Sequence, residues 1–202
     1  MRYCVSINFG GGIRMKLQVM WSRLDAPGME HLALTLRPEE VSADGFVLGV
    51  AEGAAFRLRY TVRCDSRWRV RGVEVGFVDG GRGLSLSADG EGHWFDESGA
   101  AVPALDGCVD VDITATPLTN TLPIRRLALK RGESADIKVT YVTIPGLRLA
   151  PDEQRYTCLG ADAAGGSYRF EQRGSGFTAV IRVDAEGLVE DYPGLFRRVW
   201  AA

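Results

Sequence analysis

Between Phe56 and Cys64 the chain alternates without a break, with Phe56, Leu58, Tyr60, Val62 and Cys64 on one parity and Arg57, Arg59, Thr61 and Arg63 on the other. A period of two belongs to a β-strand, because successive Cβ atoms point to opposite faces of the pleat. A helix repeats one face every 3.6 residues and cannot accommodate that pattern. The strand it predicts has one apolar face and one face of cations that must stay in water. Such a strand is stable only where something covers its apolar side, and what supplies the cover decides the fold.

The same alternation recurs along the chain. LQVMWSRL and MEHLALTLR flank a Pro27-Gly28 turn. Trp68 and Val70 hold one parity while Val73, Val75 and Phe77 hold the other, so a β-bulge is expected at Arg71-Gly72. Further runs are Leu84 and Leu86; Val109, Val111 and Ile113; Ile137, Val139 and Tyr141; Tyr168 and Phe170; and Phe177, Ala179, Ile181 and Val183. Asp-Gly, Gly-Gly, Gly-Ser and Pro-Gly pairs between them favour tight turns. The pattern predicts a long antiparallel meander with no βαβ spacing. Helix signals are scarce. TNTLPIRRLAL offers Thr119, Asn120 or Thr121 as a cap, Pro123 near the start, and Ile124, Leu127 and Leu129 behind it. A second helical turn is expected over Pro193 to Trp200. The predicted fold is mostly β: a single many-stranded antiparallel sheet curled around one central α-helix that plugs the core.

At 202 residues the chain suits one all-β unit, expected over residues 17–202 behind an irregular extension of residues 1–16. Translation is expected to start at Met15 or Met20, leaving residues 1–14 poorly ordered. Asn8, Gly10 to Gly12 and Arg14 interrupt any signal-peptide core, and no run approaches the ~20 apolar residues of a spanning helix. The reading is therefore cytoplasmic and not membrane-spanning. Twenty-four basic and 26 acidic residues are dispersed along the chain, which counts against a nucleic-acid partner. Cys4, Cys64, Cys108 and Cys158 lack the paired spacing of metal ligands and read as small buried hydrophobes; no cofactor or metal is expected.

Polar chemistry is densest in DGEGHWFDESG, where Glu91, His93 and Asp96 lie close together. A histidine beside carboxylates suits acid–base work, although flanking turn signals also read as plain hairpin punctuation. No GxSxG elbow accompanies His31 or His93, and the glycines of GSYRFEQRGSGF lack a strand-to-helix context for a phosphate cradle. Asp110 and Asp112 share one face of their strand and could bind a cation, pair with arginines or simply be solvated. Of Arg125 and Arg126, one is expected to point outward while the other pairs with an aspartate such as Asp110 or Asp112, since a buried unpaired charge is costly. Arg155, Tyr156 and Trp94 supply the fork donors and ring faces that hold sugars, and equally suit a sheet surface.

Together, DGEGHWFDESGAAVPALDGCVDVDITATPLTNTLPIRRLAL, QRYTCL, YRFE and GFTAVIRVDAEGLVEDYPGLFRRV resemble the "putative glycolipid-binding" family, formerly a domain of unknown function, over roughly Leu17 to Val199. The resemblance implies a spiral β-roll wrapped on one helix. It also implies a role with glycolipid, by likeness of shape to lipoprotein carriers that, unlike this chain, bear export signals. The leading expectation is a non-enzymatic protein that binds a glycolipid or other amphipathic small molecule, with His93, Trp94, Asp96, Arg125, Arg155 and Tyr156 at a polar mouth. The alternatives are an enzyme using His93 and its carboxylates, or a scaffold with no small ligand.

Overall fold

The computed structural model describes residues 12–202, so the poor order expected for residues 1–14 falls, for residues 1–11, outside the described residues. Seven strands follow one another outward: β1 (Met15–Arg23), β2 (Gly28–Leu36), β3 (Glu40–Ala51), β4 (Ala54–Asp65), β5 (Val70–Phe77), β6 (Gly83–Ala88) and β7 (Trp94–Asp96). A 3-10 turn at Pro103–Leu105 leads to β8 (Asp110–Ile113) and then α1 (Leu118–Leu127). Six more strands return: β9 (Ser134–Thr143), β10 (Arg148–Asp162), β11 (Gly165–Gln172), β12 (Thr178–Asp184), β13 (Val189–Tyr192) and β14 (Phe196–Ala201).

All fourteen strands form one sheet in the order β7-β6-β5-β4-β3-β2-β1-β14-β13-β12-β11-β10-β9-β8. The chain starts in the middle, runs to one edge, crosses to the other edge and comes back to the middle, where β14 pairs with β1. That crossing forces the sheet to curl. Laid flat at about 4.8 Å per strand, fourteen strands would hold the edges roughly 60 Å apart. The fourteen Cα steps from Asp96 to Asp110 reach at most about 50 Å even when extended. The edges are instead joined, with the buried Trp94 Nε1 donating to Cys108 O at 2.7 Å.

The expected bulge is present: Arg63 pairs with Gly72 but Cys64 with Val70, which leaves Arg71 out of register. The arginines of β4 face outward and pair across the sheet, Arg59 with Asp44 at 2.6 Å and Arg63 with Glu74 at 2.9 Å. Exposed pairs of this kind add little stability. Inside, Val62, Leu58, Val73, Leu32 and Val47 join one continuous core. Cys64, Cys108 and Cys158 are buried in it as expected.

Leu118 through Ile124 of α1 are buried on every side, as befits a helix enclosed by sheet. Three local expectations are corrected. The cap is Pro117, whose backbone is already helical, and Thr116 Oγ1 accepts the Leu118 N–H at 3.0 Å, so Thr119 to Thr121 fall inside the helix. Pro193 to Trp200 holds β14, because pairing with β1 and β13 overrides the helical spacing of Leu195, Phe196 and Val199. Finally, β8 runs parallel to β9 with α1 as the crossover, so the far end of the sheet does contain a βαβ unit. Its consequence is that the aspartate face of β8 meets the helix. Arg126 grips the fully buried Asp110 with Nε at 3.0 and 3.2 Å, while Arg125 points outward.

A second buried carboxyl links β2 and β4 to the segment before α1. Glu30 lies on the inward parity of β2 with Leu32 and Leu34. Its Oε1 accepts from Tyr60 and from Thr116 Oγ1, and its Oε2 is buried with no hydrogen-bond partner among the described residues. Burial pushes this carboxyl up to about 8, against the pull of the two hydroxyl donors.

Two stability predictions follow from these groups. Arg126→Met leaves Asp110 charged and buried and is expected to cost about 3–5 kcal/mol in urea unfolding at pH 7, most of it recovered in an Asp110→Leu/Arg126→Met double variant. Glu30 holds its proton more tightly folded than unfolded, so its contribution is complete below about pH 4.5 and is lost as pH rises through about 8. That amounts to about 5 kcal/mol. Wild-type unfolding free energy is expected to fall between pH 5 and 9, and Glu30→Gln to remove that part of the slope.

Candidate functional site

Antiparallel order sends every second turn to the same end of the roll. The turns after β1, β3, β5, β9, β11 and β13 gather at one end, where α1 also begins. At that end the curled sheet opens into a cavity of about 480 Å³. This lies within the range of small-molecule sites, about 300–1,000 Å³.

One wall of the cavity is aromatic. Phe170 on β11 stands 6.1 Å from Phe177 and 6.2 Å from Tyr192, and Tyr192 stands 6.4 Å from Phe196, in tilted and edge-on arrangements. Such offsets are the favoured geometry of ring pairs. Phe56 of β4 faces them, with Leu195 and Ile144 also on the lining. Phe56, Phe170, Tyr192 and Phe196 meet because β4, β11, β13 and β14 each direct a residue of inward parity at this end, while Ile144, Phe177 and Leu195 come from the turns there.

The floor is polar. It is made by Asp112 on β8, by Thr114 and Thr116 after it, by Asn120 in the first turn of α1, and by Tyr141, Thr143 and Gln172. Asp112 Oδ1 accepts from Thr119 Oγ1 at 3.0 Å and Oδ2 from Gln154 Nε2 at 2.7 Å. Burial raises its carboxyl above the ordinary range, the two donors pull it down, and nearby Asp152 raises it further. Gln154 and Gln172 both donate to Asp152 Oδ2 at 3.1 Å, extending the network behind the floor. Asn120 Oδ1 accepts from Tyr156 at 2.9 Å and its Nδ2 donates to Pro117 O at 3.3 Å, so the amide is held from both sides. Arg23, also on the lining, is clasped by Asp25 at 3.1 and 2.7 Å.

The six residues singled out in the sequence are dispersed. His93 sits in the turn between β6 and β7, at the opposite end of the roll from the cavity, with Nδ1 2.6 Å from Asp89 Oδ2. That bond raises its pKa above the ordinary imidazole value, and Asp89 is held down at about 2 by the Glu91 N–H first and by the His93 ring and N–H after it. Trp94 is buried between the two sheet edges. Asp96 Oδ1 closes a turn by accepting from the Ser98 N–H and hydroxyl and from the Ala100 N–H. Arg155 lies on the outer face against Asp136, with Nε at 2.8 Å. Arg125 spreads over the Trp68 ring, 5.3 Å from its centroid, and borders a separate cleft of about 330 Å³. Only Tyr156 reaches the cavity, indirectly, by holding Asn120. The missed residues Phe170, Tyr192, Asn120 and Gln172 carry no local motif; the one available signal was, for the three strand residues, inward parity near turns of the same end.

No helix of the described residues is long and apolar enough to cross a membrane. A family model described as "Putative glycolipid-binding" matches residues 18–198. The chain is similar to a DUF1089 family protein from Pseudomonas aeruginosa solved by crystallography, at 43% sequence identity and TM-score 0.74, over 84% of this chain and 92% of that one. No curated protein matches it. Since the family match runs from β1 into β14 and takes in the wall and the floor of the cavity, the chain belongs to the family described as "Putative glycolipid-binding".

Proposed function

We propose that this protein is a non-enzymatic binder of a glycolipid or a similar amphipathic molecule, held in the cavity at the open end of the roll. The observation that carries the reading is the pairing, within one cavity, of an aromatic wall with a floor of fixed polar groups. Sugar rings are held by stacking on aromatic faces together with directed hydrogen bonds, and alkyl chains by apolar surface. The head group meets Asp112, Asn120 and Gln172, and the chain lies along Phe170, Tyr192 and Phe196 and leaves past Phe177 and Leu195. Tyr156 acts as a positioning residue, through Asn120. The family description favours the same ligand class. An enzymatic role for His93 has less support, because that side chain is exposed and stands at the other end of the molecule.

Thermal unfolding with a panel of glycolipids tests the reading. At a hundredfold excess over Kd a ligand of the native state adds about 2.7 kcal/mol, which for a chain of this size raises Tm by roughly 5–10 °C. Phe177→Ala, at a position 38% exposed, is expected to keep the fold and weaken binding about tenfold. His93→Ala is expected to leave binding unchanged. An unmoved Tm across the panel, or equal loss from both variants, would remove the proposal.

A further inference from the structure

The charges around the cavity floor are unbalanced in a way that bears on the head group it accepts. Asp112 is a lining carboxylate with hydrogen-bond donors on both oxygens, but among the described residues no lysine or arginine pairs with it. Among the described lining residues the one cation is Arg23, whose charge is balanced by Asp25 through Nε and Nη2. A second carboxylate, Asp152, stands one amide behind the floor through Gln154 and Gln172. The positive end of α1 points toward the same floor, but its Leu118 N–H is taken by Thr116 Oγ1 and its Asn120 N–H by Pro117 O. What the floor offers a ligand is therefore acceptor oxygens of Asp112, with neutral hydroxyls and amides beside them. Phosphate or carboxylate recognition calls for free guanidinium forks, ammonium groups or open backbone N–H groups.

We propose that the cavity selects an uncharged, hydroxyl-rich head group, a neutral sugar, and discriminates against phosphate and carboxylate head groups, with Asp112 as the residue that sets the preference. This deepens the binding reading above and rests on it. The hydroxyls of a neutral sugar donate to Asp112 and exchange bonds with Asn120, Gln172 and the threonines, while its C–H face lies on the aromatic wall. An anion there faces the carboxyl oxygens of Asp112 with no cation between them, so the two share the site only if one of them is neutralised by a proton.

The test titrates the purified full chain with three single-chain probes of equal alkyl length, each below its micelle concentration: octyl glucoside, octyl phosphate and octyltrimethylammonium. Wild type is expected to bind the glucoside at least about tenfold more tightly than the phosphate. Asp112→Asn, checked by its melting curve, is expected to shrink that gap by weakening the glucoside and strengthening the phosphate. Phosphate binding equal to or tighter than glucoside, or ammonium binding tighter than both, overturns the head-group assignment while leaving the binding reading in place. Binding of none of the three overturns both. Should Asp112→Asn fail to fold, the wild-type ranking decides alone.

Discussion

The architecture depends on the short connection between the two edges of the sheet. Because β7 and β8 are consecutive in sequence but last in the hydrogen-bonded order at opposite ends, the ladder cannot lie open. The link pulls the edges together, and the Trp94 indole bonded to Cys108 O secures them. A curled sheet then has an interior that its own side chains cannot fill at every level, and the segment immediately after β8 is the one delivered there. In this way the crossing dictates both the curl and the placement of α1. The parallel β8–β9 pair is a by-product of sending the helix through the inside on its way to the next strand.

The helix has two tasks along its length. Its middle and far end fill the roll, with Arg126 clamped on Asp110 and Thr121 Oγ1 donating to Gly187 O at 2.8 Å. Its first turn stops short of the open end and becomes the cavity floor. Thr116 stands where the two tasks meet, since it bonds Glu30 in the core and lines the cavity on its other side. Polar groups in this protein are thus concentrated around the start of α1, where each buried hydroxyl or amide has a partner that fixes its direction.

Much of the fold was legible because the strands keep strict parity. The β4 alternation, the bulge at Arg71 and the plug helix with its Arg–Asp pair all followed from period, turn chemistry and the cost of a buried charge. The boundaries that failed did so for nonlocal reasons: β14 carries helical spacing but pairs with β1, far away in sequence. Strand β3 hid behind Asp44-Gly45, which ordinarily marks a turn. Here Gly45 sits mid-strand because a Cβ would lie 2.1 Å from the Tyr60 ring packed on it. The site was the least legible part. Local density of polar residues led to the segment from Asp89 to Gly99, where Asp89 and Asp96 turn out to tie turns, while the cavity draws single residues from strands distant in sequence.

The two edge strands are short, β7 with three residues and β8 with four. A long free edge is a template on which a stray strand from another molecule can add and start a fibre. By ending each arm of the sheet on a stub and bringing the stubs together, this fold leaves little ladder to extend, so a sheet of fourteen strands can stay a separate particle in a crowded solution.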